Sequence, residues 1–428
     1  MSYLENETLK REKQIEAFTQ SFGKKMFSVV RNESQSIFKA FYWKQFPMRW
    51  FGRNETLRVQ LLKFVSGYPI IISPEGKFEH FKKCFIDELE SAPWLFLFAS
   101  LAGKLPLGRK IIVSVMDRAI KLVARHFIVE DSKEEVSRAI GRLKKEGASC
   151  NLDVLGEEVL SEEAADEYLE KYLSLLKIVN TEVSLKPSGL KNSEYRLREI
   201  FKAASAGATV DIEQYFSRDF TFETFKRVLD EEKFQHFDKA GIAFQVYLRD
   251  WKDSLKNLVL WAKERNHEIK IRLVKGAYWD FEVSSARKDG REIPVFTEKW
   301  QTDLAFEEAC ELLMADKAIR ENIRIAVASH NVRSVAKAMA LAEVYGFPKE
   351  RMEFQVLYGM GYPLMKAIIK MGYSVKVYVA TGDMAAGIAF LVRRIIENTS
   401  QTSFVFQSLD SKIPIEELLK NPKDYLKP

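Results

Sequence analysis

The sequence predicts an α/β fold: a TIM-type (β/α)8 barrel preceded by an all-α N-terminal module. Two observations carry this. Residues 1–148 read as mostly helix, with long amphipathic segments (8–30, 54–66 and 110–127) separated by punctuation such as FPMRWFGRN, SGYPIIISPEG and AGKLPLG. After the polar stretch KKEGASC (144–150), short runs rich in β-branched and apolar residues alternate with helical stretches, which is the pattern of a parallel sheet. The expected division is 1–148 for the helical module, 149–408 for the barrel and 409–428 for a tail or linker.

In chain order, the strands expected are VSLK (183–186), ATVDIE (208–213), IAFQVYL (242–248), IKIRLVKG (269–276), IRIAVAS (323–329), MEFQVL (352–357) and VKVYVA (375–380). Helical patterns fill 161–179, 221–239, 251–265, 300–320, 332–345 and 363–371. Seven strands approach the eight a closed barrel needs, and SQTSFVFQ (400–407) is the candidate for the eighth. Residues 383–398 read as a further helix with Asp383 as its N-cap. Met384, Ile388, Leu391, Val392, Ile395 and Ile396 fall on one side of that helix. Phe390, Arg393, Arg394 and Glu397 fall on the other. Two neighbouring guanidiniums suit a carboxylate ligand, because each offers a two-pronged fork. Taken alone, the same face also reads as a solvated surface with Arg–Glu pairs worth a few tenths of a kcal/mol.

Composition narrows the function. With 46% hydrophobic and 12% aromatic residues, the chain can fill a large core. The net charge of +6 is spread thinly, which permits contact with an anionic membrane surface but does not argue for nucleic acid. Cys84, Cys150 and Cys310 stand far apart, as do the five histidines, so neither a disulfide framework nor a metal centre is expected and a cytoplasmic location fits. The longest uncharged apolar stretch, 92–103, is too short for a span of about 20 residues, so membrane contact would be peripheral.

In a barrel of this type the site is built at the C-terminal ends of the strands. Those positions here hold Lys186, Asp211, Gln245, Arg272, Lys275, Tyr278, Ser329, His330, Asn331, Leu357, Tyr358 and Tyr378. Charges and amides set in apolar strands are costly to bury unless they are paired or bind something. That nearly every strand delivers one to the same end points to a binding or catalytic site. No GxGxxG or GxxxxGK[ST] occurs, so a nucleotide cofactor would be held outside a Rossmann crevice.

RLVKGAYWD (272–280), EFQVLYGM (353–360) and FLVRRIIEN (390–398) together resemble the proline dehydrogenases, most of all the proline dehydrogenase portion of bifunctional proline utilisation A. LDVLGEEVLSEEAADEY (152–168), VDIEQYF (210–216) and FQVYLRD (244–250) are similar to the same family's segments. The resemblance implies an FAD-dependent (β/α)8 barrel that oxidises L-proline to 1-pyrroline-5-carboxylate and passes electrons to a membrane quinone. It also implies roles. Arg393 and Arg394 would clamp the substrate carboxylate, Lys186 would lie against substrate, and Asp211 would hold the cationic side chains. Tyr278, Leu357, Tyr378 and Phe390 would wall the proline ring, and Glu157 would close a gate with Arg393. Gln245, Arg272, Val274, Lys275, Gly276, Trp279, Thr297, Lys299, Ser329, His330 and Glu397 would hold the flavin.

Some positions depart from the family pattern. Phe390 stands where tyrosine is usual, VATGD replaces a proline-containing run, and SLKPSGL carries Pro187 and Gly189 where leucine and alanine are commoner. Retained Tyr378 favours proline over hydroxyproline, because a phenol would crowd a ring substituent. The resemblance further implies a pyrroline-5-carboxylate (glutamate semialdehyde) dehydrogenase as fused or separate partner, and residues 413–428 resemble the start of a connection to it. A same-fold dehydrogenase for a proline analogue and a non-catalytic scaffold for that partner are the rival readings.

Overall fold

The computed structural model describes residues 3–53, 55–68, 71–87, 94–155, 161–178, 181–191, 194–382, 387, 390 and 413–426. Its N-terminal part is helical: α1 (Tyr3–Arg53), α2 (Glu55–Gly67), α3 (Pro74–Lys82), α4 (Trp94–Ala102) and α5 (Pro106–Phe127). A two-residue strand, β1 (Ile128–Val129), and α6 (Lys133–Lys145) lead into eight parallel strands. These are β2 (Ser149–Val154), β3 (Glu182–Leu185), β4 (Ala208–Val210), β5 (Ala240–Gln245), β6 (Ile269–Val274), β7 (Ile323–Ala328), β8 (Met352–Leu357) and β9 (Ser374–Thr381). Each pairs with the next, and β9 pairs back onto β2, so the barrel closes. The helices between them are α7 (Glu162–Ile178), α8 (Glu194–Ala203), α9 (Tyr215–Leu229), α10 (Trp251–Arg265), α11 (Trp279–Lys288), α12 (Lys299–Ala315), α13 (Lys317–Arg320), α14 (Val332–Tyr345) and α15 (Tyr362–Lys370).

The barrel expected from sequence is present, with one correction to its strands. The eighth strand is β2, at the start of the barrel, and the candidate at 400–407 lies outside the described residues. SCNLDV escapes a hydrophobic reading because Asn151 and Asp153 alternate with Cys150, Leu152 and Val154, all of them buried. The apolar set joins the main core, while Asn151 bonds across to β3. The helix expected over 221–239 is shifted to 215–229, and α8 and α11 were not foreseen.

Two features tie the flanking segments to the barrel. β8 ends at Leu357, and β1 takes over its place beside the last residues of β9, pairing Ile128 with Ala380 and Val129 with Thr381. The chain after β8 passes so close to the end of α5 that a Cβ on Gly359 would sit 2.3 Å from the His126 carbonyl oxygen; Gly359 is also in the left-handed region, at φ +78°. Around the outside of the barrel, α1 packs against α14 and α15. Buried Arg333 of α14 donates to Glu16 of α1 (2.7 and 2.8 Å), to Glu307 of α12 (2.9 and 3.2 Å) and to the Leu419 carbonyl (2.7 Å). Gly23 leaves room on α1 for the Leu419 side chain. One guanidinium thus joins the N-terminal arm, two barrel helices and the segment 413–426.

Breaking a buried pair strands a charge, and burial already pushes the Glu307 carboxyl up against the pull of Arg333. Arg333→Met is expected to lower the unfolding free energy by about 3–5 kcal/mol in urea titration. A loss under about 1 kcal/mol would show that the clasp is not structural.

Candidate active site

Alternation along each strand sorts the residues. Leu152, Val183, Leu185, Ile242, Phe244, Ile271, Leu273, Val327, Phe354, Val377 and Val379 all belong to the apolar core. The intervening positions meet one another across the barrel and are largely polar. At the N-terminal end, Glu182 is the hub. It accepts from Asn151 (3.0 Å) and Thr209 (2.5 Å) and pairs with Lys270 of β6 and Lys376 of β9. Lys376 also reaches Glu353 of β8 at 3.1 Å. Burial would raise the Glu182 carboxyl, but the surrounding Lys270, Lys376 and Arg272 hold it well below the usual range. A cavity of about 90 Å³ at this end is lined by Glu182, Lys270, Glu353 and Lys376, whose charges already pair with one another.

At the C-terminal end a second chain of charges crosses the mouth. Lys186, just beyond β3, pairs with buried Asp153 of β2. Asp211, just beyond β4, pairs with buried Arg272 of β6 and accepts from the Tyr378 hydroxyl of β9 at 2.8 Å. The Arg272 guanidinium lies 5.4 Å from the Tyr378 ring centroid. Burial pushes the Asp153 carboxyl up despite Lys186. Burial alone would lower the Lys186 ammonium, yet Asp153, Tyr168 and Asp211 carry it above the usual lysine value. Tyr378 is pushed well above an ordinary phenol, first by burial and then by Asp153 and Asp211. The mouth therefore keeps a cationic lysine and a protonated tyrosine across the physiological range.

Beside this chain lie buried atoms whose hydrogen bonding is incomplete. Gln245 donates to the carbonyls of Ile212 and Glu213 at 3.1 Å each, but its Oε1 has no hydrogen-bond partner among the described residues. Arg272 Nε and Nη2 have none either, Nη2 standing 3.9 Å from Glu182. Such atoms are rare in folded proteins and suit a polar ligand. Next to them the backbone makes a close approach: Gly276 has φ +137°, and a Cβ there would fall within 2.5 Å of the Tyr247 ring. Lys275 and Lys299 share Asp303, whose carboxyl they hold low against its burial. Trp279 is anchored by its indole N–H to the Phe296 carbonyl at 2.8 Å. His330 Nε2 accepts the Leu357 backbone N–H at 2.9 Å, so that lone pair is committed to joining two strand ends. Ser329 accepts from the Asn331 N–H at 3.1 Å.

Comparison with known proteins identifies the family. Residues 136–407 match the family described as proline dehydrogenase, and residues 16–127 match the proline utilization A N-terminal domain. The chain belongs to the proline dehydrogenase family. It is 27% identical over 349 residues to the bifunctional protein PutA of Escherichia coli, covering 74% of this chain and 26% of that protein. It is 28% identical over 306 residues to proline dehydrogenase 1 of Bacillus subtilis, covering 68% and 92%. Among solved structures, proline utilization A from Bdellovibrio bacteriovorus inactivated by N-propargylglycine superposes with a TM-score of 0.85 at 30% identity. That match covers 97% of this chain and 45% of the other. The chain thus spans about a quarter of the length of the bifunctional relatives it matches.

Of the site residues expected from sequence, the structure brings Lys186, Asp211, Arg272, Gln245 and Tyr378 to the mouth. Leu357 and Phe390 both pack against one apolar cluster with Leu155, Met360 and Ala380. Tyr278 precedes α11 and is half-buried, as are Val274 and Lys275, whereas Thr297 is exposed. Glu157, Arg393, Arg394 and Glu397 lie outside the described residues. Asp153 was missed with its strand. Its signal was the alternation in NLDV, where Leu152 and Val154 leave the aspartate on the inner face.

The raised Lys186 ammonium gives a signed pH effect. A base held above its unfolded value contributes stability that is fully present below the unfolded lysine pKa, near 10.4, and lost as pH rises through the folded value. Relative to a Lys186→Met/Asp153→Asn double variant, the wild type is expected to lose stability in urea titrations above about pH 10.4. Parallel stability curves up to the alkaline limit would contradict the coupling.

Proposed function

We propose that this chain oxidises L-proline to 1-pyrroline-5-carboxylate with FAD as cofactor and a membrane quinone as electron acceptor. The carrying observation is the chain Lys186–Asp153, Tyr378–Asp211–Arg272 at the barrel mouth, beside which Arg272 Nε and Nη2 and Gln245 Oε1 make no hydrogen bond among the described residues. A scaffold has no use for incompletely bonded buried charge, and family membership supports proline as the substrate.

The residues present fit a flavin. Arg272 Nε and Nη2 can donate to its ring acceptors, Gln245 Oε1 can accept from its ring N–H, and the Gly276 approach admits a flat group against the backbone. Val274, Lys275, Trp279, Thr297, Lys299, Ser329, His330 and Glu397 would complete its surroundings. When bound, FAD supplies a two-electron hydride acceptor and relays electrons to quinone.

The protein's work is placement. Arg393 and Arg394 would grip the substrate carboxylate, with Lys186 adding a third cation, and Glu157 would pair with Arg393. Tyr278, Leu357, Tyr378 and Phe390 press the ring flat. Substrate amine must be neutral before the C5 hydride leaves and the C5=N bond forms. Neighbouring cations lower its pKa, and its proton passes to water, since the His330 Nε2 lone pair is already engaged. The Tyr378 hydroxyl is fixed on Asp211, so the phenol cannot swing aside for a ring substituent, which favours proline over hydroxyproline. The product then requires an aldehyde-oxidising partner, a pyrroline-5-carboxylate dehydrogenase, as a fused or separate chain. A cytoplasmic protein lying on the inner membrane fits this electron path.

Anaerobic addition of L-proline to the FAD-loaded protein is expected to bleach the visible flavin band. Arg394→Met should retain flavin but lose bleaching at matched proline concentrations. A wild-type band unmoved by proline would overturn the assignment.

A further inference from the structure

Beyond the mouth, the most unusual surface belongs to α5 and the corner before it. Leu107, Ile111, Val115 and Leu122 are spaced by four, four and seven residues. At about 100° per residue they therefore share an arc under a quarter-turn wide. All four are open to solvent, at 57 to 73%. The stripe continues into the α4–α5 turn through Leu105 (69%) and Leu101 (60%). That turn is tight, since a Cβ on Gly108 would lie 2.1 Å from the Ala102 carbonyl oxygen, and both leucines stand exposed on it. The opposite face is accounted for. Val113, Ala124 and Phe127 enter the cluster of Phe64, Tyr68, Phe78, Phe81 and Phe85, with Ile112, Met116, Ile120 and Val123 packed against it.

Charge on this element is one-sided. Residues 94–127 hold six lysines and arginines and a single acid, Asp117. Asp117 is taken by Lys77 at 2.8 Å. Lys104, Lys110, Arg118, Lys121 and Arg125 are exposed around the stripe. An exposed apolar stripe set among long cationic side chains fits a fluid anionic surface. The leucine and isoleucine tips enter the acyl boundary while the ammonium and guanidinium groups stay with the headgroups. A rigid protein partner would have to bring a matching groove, and a second copy would oppose like charges.

We propose that the α5 stripe, from Leu101 to Leu122, is the surface by which this chain lies on an anionic lipid bilayer. The proposal deepens the quinone reading and takes its purpose from it: docking through α5 brings a flavoprotein to the phase where a quinone resides.

The test is flotation of the FAD-loaded full chain with vesicles of phosphatidylcholine alone or mixed with phosphatidylglycerol. Binding is expected to the mixed vesicles only and to weaken with salt. It should fall at least roughly tenfold in Ile111→Glu/Val115→Glu. Leu260→Glu, a like change at an exposed site on α10, should bind as wild type. Three results would overturn the proposal. They are a wild type that ignores phosphatidylglycerol vesicles, undiminished binding by the double variant, or self-association of the wild type that the double variant abolishes. Flavin bleaching by proline, measured on the same samples without vesicles, should be equal in all three proteins. Its failure would count against the enzymatic reading and not against the surface.

Discussion

The structure depends on keeping charge inside the barrel mutually satisfied. Asp153, Glu182, Asp211 and Glu353 face Lys186, Lys270, Arg272 and Lys376 across the interior, four carboxylates against four cations. An isolated ion there would cost several kcal/mol after relaxation, so removing any member alone is costly. The two ends use this differently. Around Glu182 the pairing is dense, with two amide and hydroxyl donors besides the lysines. At the mouth the hydrogen bonding is left incomplete among the described residues, at Arg272 Nε and Nη2 and at Gln245 Oε1.

The helical flanks matter because they fix where the mouth is. β1 extends β9 past the end of β8, and Gly359 lets the chain after β8 pass under the end of α5. Arg333 then holds α1 and the 413–426 segment against α12 and α14. The N-terminal helices are therefore packed into the barrel's frame at both points.

Much of this was legible from residue pattern. Seven strands were legible because their outward positions are Val, Ile, Leu and Phe, and the polar residues at their ends pointed to the mouth. β2 was not found for the same physical reason that makes it useful: Asn151 and Asp153 face inward and interrupt the apolar run. The ion-pair partners were not legible either, since Lys270 and Glu182, 88 residues apart, meet only across a closed barrel. His330 was read from the resemblance as a flavin contact, and what the fold adds is its bond to the Leu357 N–H, which joins two strand ends. The arginine pair at 393 and 394 stays a reading from sequence, carried by the family match rather than by geometry.

The central claim is that the unfinished hydrogen bonding at the mouth is reserved for a flavin. The direct measurement is the FAD affinity of wild-type and Arg272→Met apoprotein, with urea unfolding of both to establish that the variant is folded. Gln245→Leu serves as the milder change should the first fail to fold. Loss of hydrogen bonds from a charged donor predicts affinity lower by roughly ten- to a hundredfold in a cooperatively folded Arg272→Met protein. A folded variant that binds FAD as tightly as wild type would contradict the account.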